Sequence, residues 1–541
     1  MTDQQVYQPL KEGETRLLVL KPGSPQDPSV SVHLEQCSPK HAQPYDALSY
    51  VWGDQKKKTT ILLDGKPFEI TLNLHWALRR TRDPHETRVI WADAICINQL
   101  DLHERSQQVA MMGTIFSHAR KVLVCVGDPP NSGEDKDVAS LMNGFALLWG
   151  RHPDIPALRK DDPLRDDPRW RSVANFMSLP WFRRAGVIQE VGLARDPRVL
   201  YGCCEFSYRE MLKVMRWKGG QTWALQFAIP SLLVHRAWHD WTEPAHPLTF
   251  IDLLNHGALL DCIDPRDHIY AFLAHPLARD QDGGLLVWPD YFMGLDNVHF
   301  VVSCKLLRRF GLRLLSSVEH TEKTIEEALP LWVVRWNVSV VLNDISRYPG
   351  LYRATPPEWA PDLSKFSAKN LELPGVILDR VSKAYYIDVR AIPEVSLRFV
   401  DVSDNSRRLS WSNILDEFPQ RSDAQIAILK SLCARDDLDA SKLRIPENKE
   451  RFEHQVKDVG INRCLFATDK GGFGVGPMVT RPGDVCSLIY GADVAFMLRP
   501  HSDMSPAYKL LGEAFVHGVM NGEIEGMLQR RQVVQETIII C

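Results

Sequence analysis

The chain has 541 residues, of which 44% are hydrophobic and 24% are charged, and its formal net charge is −4. This composition is typical of a globular protein with a large core, and a prior of roughly 150 residues per domain predicts two to four folding units. The weakly acidic balance argues against nucleic acid as the main partner, and no apolar run reaches the ~18 residues that a membrane span needs.

Short strands alternate with helices through the first 210 residues. The predicted core strands are 46–51, 88–93 and 121–126. Asp101 followed by Glu104 predicts a capping box that opens the helix between the second and third of them. Continuous apolar strands that alternate with helices are typical of a parallel sheet covered on both faces. We therefore expect residues 14–210 to form one α/β domain in which the three core strands lie side by side.

The rest of the chain is predicted to fall into three regions. Residues 211–345 carry Trp and Leu at helical spacing, which predicts a mainly helical region. Residues 346–460 are rich in Pro and Asp, which predicts an irregular connecting region. Residues 461–541 contain short apolar strands separated by glycines, which predicts a small β-rich module. Its strands are too few to bury both faces alone, so we expect it to pack against the helical region.

Several segments resemble the fungal heterokaryon incompatibility (HET) domain family. Three of them are similar to its blocks: YDALSYVWGD, IWADAICINQLDLHERSQQVAMMGTIFSHARKVLVCVGD and PWFRRAGVIQEVGLAR. Later stretches resemble regions that accompany HET domains in full-length proteins: DPRDHIYAFL, PGDVCSLIYGADVAFMLRP and LLGEAFVHGVMNGE. The resemblance implies a role in heterokaryon incompatibility, where fusion of unlike hyphae triggers cell death. It also implies a fold like that of Toll/interleukin-1 receptor (TIR) domains, some of which hydrolyse NAD.

Glu190 is the catalytic residue that the resemblance implies. In NAD-cleaving TIR-like domains a glutamate follows a tryptophan by four positions on one helix, and HET proteins usually show a similar Trp-x-x-x-Glu. In this chain Gly186 stands in place of the tryptophan. A carboxylate at this position can stabilise the positive charge that builds on the ribose as nicotinamide leaves. The alternative interpretation is a surface glutamate paired with Arg183 or Arg184.

The candidate substrate-binding residues follow two of the core strands. In open α/β sheets, ligands bind beyond the carboxyl ends of the strands. These residues are Ser49, Tyr50, Trp52, Gly53 and Asp93. Trp52 offers a stacking face, although a buried aromatic anchor is the simpler interpretation of that residue alone. We expect the Glu190 carboxylate to point into a cleft that it shares with Trp52 and Asp93.

The cysteines give no sign of a metal site. Among the eleven, the adjacent Cys203 and Cys204 form the sole close pair, and the sequence has no Cys-x-x-Cys and no His-Glu-x-x-His. We therefore predict no metal and reduced thiols in a cytoplasmic protein.

Three functions are compatible with the sequence. The first is a TIR-like NAD hydrolase, with NAD as its substrate and no bound cofactor. The second is a non-catalytic recognition or scaffold module that self-associates when a partner incompatibility protein signals. The third is a pathway enzyme that acts on another small molecule in the same cleft. The retained Glu190 favours the first function, and Gly186 favours the second.

Overall fold

The chain forms two compact units, Met1–Gly294 and Leu295–Cys541. Apart from single positions, the computed structural model describes residues 6–219, 248–338, 351–388, 398–410, 461–501 and 507–541. It also describes Ile345 and isolated residues between 411 and 460. In these parts of the chain, no helix combines the length and the apolar character that a membrane span requires.

The first unit is built on a mixed sheet that has nine strands among the described residues. They are β1 (Thr15–Leu20), β2 (Ser31–Cys37), β3 (Asp46–Tyr50), β4 (Lys58–Leu63), β5 (Lys66–Thr71), β6 (Arg88–Trp91), β7 (Lys121–Gly127), β8 (Pro197–Tyr201) and β9 (Cys204–Ser207). Their order across the sheet is β5-β4-β2-β1-β6-β3-β7-β8-β9. The central strands β6, β3, β7 and β8 run parallel to one another.

The predicted core strands lie side by side as β6, β3 and β7, so this expectation is confirmed. Outside the centre β2 and β4 also pair in parallel, but the expectation of a parallel sheet is wrong for the other pairs. There β1 pairs antiparallel with β2 and β6, β4 with β5, and β8 with β9. The physical reason is clearest for β4–β5 and β8–β9. Each pair is joined by a two-residue turn, which reverses the chain, whereas parallel neighbours need a long crossover.

The first unit also contains helices. Those that the structure describes are α1 (Leu72–Thr81), α2 (Asp93–Cys96), α3 (Leu102–His118), α4 (Glu134–Trp149), α5 (Arg169–Met177), α6 (Val187–Gly192), α7 (Tyr208–Gly219), α8 (Phe250–Gly257) and α9 (Asp267–Tyr270). Of these, α1, α2, α4, α6 and α7 contact strands of this sheet directly. Asp101 caps α3 as predicted, by accepting the backbone N–H groups of His103 and Glu104. The second half of the predicted capping box is wrong. Glu104 instead forms a buried ion pair with Arg16 at 2.6 Å.

The second unit contains a closed β-barrel. Its strands are β10 (Leu371–Asp388), β11 (Arg398–Asp401), β12 (Arg408–Ser410), β13 (Arg463–Thr468), β14 (Phe473–Pro477), β15 (Val485–Ile489), β16 (Ala495–Pro500), β17 (Ala507–Val516) and β18 (Gln535–Ile540), and its helices include α10 (Leu295–Phe310) and α11 (Ile524–Gln529). The described strands β10-β13-β14-β17-β16-β15 form a ring that closes on β10. Closure leaves no unpaired edge within the ring.

Strand β10 corrects the prediction of an irregular region at 346–460. It is 18 residues long, and register shifts along it let one end pair with β15 and the other with β13. Pro374 and Gly375 weaken its local strand signal, but pairing along both edges supplies hydrogen bonds that no local pattern reveals. Most of the remaining connecting region lies outside the described residues.

The barrel and part of the predicted helical region belong to the same unit. Leu331 donates its backbone N–H to the Cys541 carbonyl at 3.1 Å, and Glu319 forms an isolated bridge with Gly512 in β17. The β-rich part is therefore docked against the segment that follows α10. The rest of the predicted helical region, where described, lies in the first unit as α7, α8 and α9.

Candidate functional site

The carboxyl ends of β3 and β6 bring the predicted binding residues together. Ser49 and Tyr50 end β3 and are both buried. Asp93 opens α2, two residues after β6, the parallel neighbour of β3. Trp52 donates its indole N–H to the Asp93 carboxylate at 2.8 Å, which fixes the ring beside the strand ends. Four of the predicted residues thus share one edge of the sheet.

Glu190 lies beneath this edge on α6, which packs against β3 and α3. The residue is 4% exposed, so the carboxylate is buried. Ser49 hydrogen-bonds to it, and Trp181 in turn donates its indole N–H to the Ser49 hydroxyl oxygen at 2.9 Å. The other carboxylate oxygen, Oε2, has no hydrogen-bond partner among the described residues. The carboxylate is therefore anchored on one side only.

Burial raises the pKa of Glu190 to about 7. The Arg184 charge and the Ser49 hydrogen bond oppose this rise, whereas the Asp93 carboxylate adds to it. Since the pKa falls near neutrality, both protonation states of Glu190 are accessible at physiological pH. Carboxyl groups with raised pKa values are frequent at catalytic positions, because their proton affinity then matches the working pH.

Arg184 supplies the positive charge of the site. Its guanidinium donates to the Tyr50 carbonyl, and its charge favours the ionised form of Glu190. Arg183 instead pairs with Asp261 at 3.1 Å on the exposed surface. The alternative interpretation of Glu190 as a surface glutamate is therefore wrong, because the residue is buried between α6 and β3.

Tyr50 presents a hydroxyl that stays protonated. Burial raises the pKa of Tyr50 well above its usual value, and the Asp93 carboxylate facing the hydroxyl raises it further. A phenol held neutral beside a carboxylate can act as a hydrogen-bond donor to a polar ligand.

Gly186 precedes α6 rather than lying inside a helix. It is the N-cap residue, with φ −57 and ψ −35. The penalty of about 1 kcal/mol for glycine in a helix interior therefore does not apply, since glycine is well tolerated at this position. A Cβ at 186 would lie 3.3 Å from Glu190 Oε1 and 3.6 Å from an Arg184 nitrogen. Any side chain at 186 would therefore press directly on the carboxylate.

The local backbone explains why position 53 is a glycine. Its φ is +74, and a Cβ there would lie 2.6 Å from the Asn73 amide nitrogen. That amide donates to the Val51 carbonyl at 3.0 Å. The tight turn accounts for this glycine without a ligand.

A later segment of the first unit completes the surroundings of Arg184. Ala185 donates its N–H to the Asp261 carbonyl at 3.1 Å. Asp267 is half-buried, and its pKa is raised by burial to about 6, with the charge of Arg184 among the opposing effects. Asp264 forms an ion pair with Arg266 at 2.8 Å. No local pattern in the sequence indicates the proximity to Arg184, because more than 70 residues separate the two segments.

Comparisons with known proteins place these residues in a recognised domain. Residues 45–190 match the family model described as "Heterokaryon incompatibility protein (HET)", and residues 423–534 match the "Het-6 beta-barrel domain". The chain is 24% identical to heterokaryon incompatibility protein 6, OR allele, of Neurospora crassa, over 95% of each sequence. No solved structure matches the chain. The first matched range contains all six predicted site residues and ends at Glu190.

Proposed function

We propose that this chain, which is a heterokaryon incompatibility (HET) domain protein, is an effector of fungal self/non-self recognition whose HET domain hydrolyses NAD and triggers cell death. The incompatibility role is supported by both domain matches and by similarity to an incompatibility protein along nearly the whole chain. The parallel core β6-β3-β7-β8 with packed helices is compatible with a TIR-like fold, which is part of the proposal.

The reaction needs only one well-placed carboxylate. Hydrolysis of NAD breaks the bond between C1′ of the nicotinamide ribose and the pyridinium nitrogen, and the bonding electrons leave with neutral nicotinamide. A water oxygen forms the new bond to C1′, so the products are ADP-ribose, nicotinamide and one proton. The leaving group is already cationic and needs no general acid. A carboxylate can stabilise the oxocarbenium-like transition state and accept the proton of the water.

Glu190 carries this proposal, since it combines burial, a pKa near neutrality and an unpartnered carboxylate oxygen. Ser49 orients the carboxylate from the anchored side. Glycine at 186 keeps a side chain from pressing on this carboxylate, because a Cβ there would lie 3.3 Å from Glu190 Oε1.

Neighbouring groups suit other parts of NAD. The Arg184 guanidinium matches the charge of the diphosphate. Trp52, half-buried and held by Asp93, offers a stacking face for an aromatic ring of the substrate. The neutral Tyr50 hydroxyl can donate to a ribose oxygen.

A second function, recognition without catalysis, is favoured by the burial of Glu190. A residue that is 4% exposed can also lock α6 onto β3. In that case the HET domain signals through self-association or through contact with a partner incompatibility protein.

Release of nicotinamide and ADP-ribose by the purified full chain separates the two functions. We expect release from the wild type, strengthened when oligomerisation is enforced, and a rate at least ~100-fold lower for Glu190→Gln. Glu69→Gln is the matched control, because Glu69 is an exposed strand residue whose side chain is 68% accessible. If neither assembly state consumes NAD while Glu190→Gln remains fully toxic in a fungal host, the non-catalytic function is correct.

A further inference from the structure

Two thiols and a carboxylate meet at the tip of the β8–β9 hairpin. Cys203 and Cys204 occupy the turn and the first position of β9, and Asp135 lies in the first turn of α4. One Asp135 oxygen, Oδ2, is 3.1 Å from the Cys203 sulfur and 3.8 Å from the Cys204 sulfur. The two sulfurs are 3.9 Å apart. None of these residues belongs to the Glu190 site.

These distances match the edges of a metal coordination tetrahedron. With Zn–S bonds of about 2.3 Å and Zn–O bonds of about 2.0 Å, two sulfurs are separated by about 3.8 Å, and a sulfur and an oxygen by about 3.5 Å. The observed sulfur–sulfur distance is 3.9 Å, and the two sulfur–oxygen distances lie on either side of the ideal value. An ion can therefore be placed against all three donor atoms with little movement of the side chains.

The backbone holds the donor atoms in this arrangement. Gly202 precedes the cysteines with φ +52, and a Cβ on it would lie 2.6 Å from the Asp135 carboxylate oxygen. Only glycine lets the carboxylate approach the turn so closely. From the other side, Arg80 donates to the carbonyls of Gly202 and Cys203 at 2.9 and 3.1 Å.

The charges around the hairpin suit a divalent ion. A bound ion would displace the two thiol protons to solvent. The resulting two thiolates and the carboxylate carry three negative charges, which the ion and the Arg80 guanidinium balance. Asp135 is buried, Cys204 is half-buried and Cys203 is exposed, so an ion can enter from solvent. Sulfur donors favour zinc-like ions over magnesium or calcium.

We propose that Asp135, Cys203 and Cys204 form a binding site for zinc or a similarly thiophilic divalent ion, with a water molecule as the fourth ligand. The bound ion joins the β8–β9 hairpin to α4 and so fixes one edge of the HET-domain sheet. Sequence analysis predicted no metal, because the carboxylate lies 68 residues away from the cysteine pair.

Cadmium titration of the reduced full-length protein tests the site. Thiolate–cadmium bonds absorb in the ultraviolet, so we expect a band that saturates at one ion per chain, and excess zinc should abolish it. The double variant Cys203→Ser/Cys204→Ser should weaken cadmium binding at least ~100-fold, and Asp135→Asn should weaken it roughly tenfold. The control Cys37→Ser/Cys541→Ser, which removes two other partly exposed thiols, should bind like the wild type.

Measuring the melting temperature distinguishes a variant that has lost the metal site from one that has not folded. Asn at 135 retains an acceptor for the Cys203 N–H, which donates to Asp135 at 3.1 Å, so this variant should fold. Zinc should raise the melting temperature of the wild type and raise that of Asp135→Asn much less, because only binding to the folded state stabilises it. Wild-type protein that binds no cadmium, or a double cysteine variant that binds it as tightly as the wild type, would overturn the proposal.

Discussion

Two buried glutamates in the first unit have opposite surroundings. Glu104, in the first turn of α3, pairs with Arg16 at 2.6 Å and also accepts the Asn98 N–H at 2.7 Å. Glu190, on α6, keeps one oxygen without a hydrogen-bond partner in the described part of the chain. A buried carboxylate that is fully paired holds the fold together, whereas one left partly unsatisfied opposes folding and is retained for another reason. Buried Glu134 in α4 also has an unpartnered oxygen, but side-chain hydrogen bonding from Asn131 lowers its pKa, whereas burial raises the pKa of Glu190. The unpartnered oxygen together with the raised pKa is why we propose a functional role for Glu190.

The largest expected effect is the loss of the Glu104 ion pair. Glu104→Gln keeps the shape of the side chain but leaves the buried Arg16 guanidinium without a compensating charge. We expect the free energy of unfolding at pH 7 to fall by roughly 3 kcal/mol, as measured by urea denaturation. A loss below about 1 kcal/mol would show that the Arg16–Glu104 ion pair contributes little to stability. Glu104 could then no longer serve as the stabilising counterpart of Glu190.

The same substitution at Glu190 should have the opposite sign. The pKa of Glu190 is raised from 4.5 to about 7, so the folded protein holds this proton more tightly than the unfolded chain does. Ionisation of Glu190 therefore destabilises the fold. This destabilisation is absent below about pH 4.5 and is fully present above about pH 7. Glu190→Gln should raise the free energy of unfolding at pH 8 by up to about 3 kcal/mol and leave it nearly unchanged at pH 4.5. A destabilised variant at pH 8 would mean that the carboxylate is structural.

The rate of NAD hydrolysis should follow the ionisation of Glu190. If the carboxylate is the active form, the rate rises with pH through about 7, and the increase from pH 6 to pH 8 is about tenfold. The measurement is a steady-state pH profile with saturating NAD. A rate that stays constant across this pH range would show that NAD hydrolysis does not depend on the ionisation of Glu190.

The smallest effect is expected at Gly186. Gly186→Ala has no backbone penalty at φ −57, and the added Cβ lies 3.3 Å from Glu190 Oε1, so stability should change by less than about 1 kcal/mol. We expect NAD hydrolysis to fall severalfold, because the methyl group presses on the carboxylate and displaces it. A Gly186→Trp variant that is faster than the wild type would show instead that the family tryptophan is needed there.

Local patterns in the sequence predicted the centre of the sheet and the residues at its edge. Strands β3, β6 and β7 are continuous apolar runs, and Asp93 follows the end of β6. The features that the sequence did not predict depend on contacts between residues far apart in the chain. Glu104 pairs with a residue 88 positions away, although Asp101 nearby predicted a capping box. Strand β10 owes its length to pairing along both edges rather than to its own residues.

The sequence pattern also did not predict that Glu190, the candidate catalytic residue, is buried. The family resemblance placed positions 186 and 190 on one helix, whereas the chain forms a short 3₁₀ turn and then the six-residue α6, which begins after Gly186. The side chain is buried because α6 packs onto β3. Proximity in the chain could not show that contact, since 141 residues separate Ser49 from Glu190.

The most direct test measures activity and stability on the same samples of wild type and Glu190→Gln at pH 8. We predict that the variant releases nicotinamide at least ~100-fold more slowly and unfolds at a higher urea concentration, because a catalytic carboxylate is kept at the expense of stability. A variant that hydrolyses NAD as fast as the wild type, or one that is inactive because it is less stable, would contradict the assignment of Glu190 as the catalytic residue.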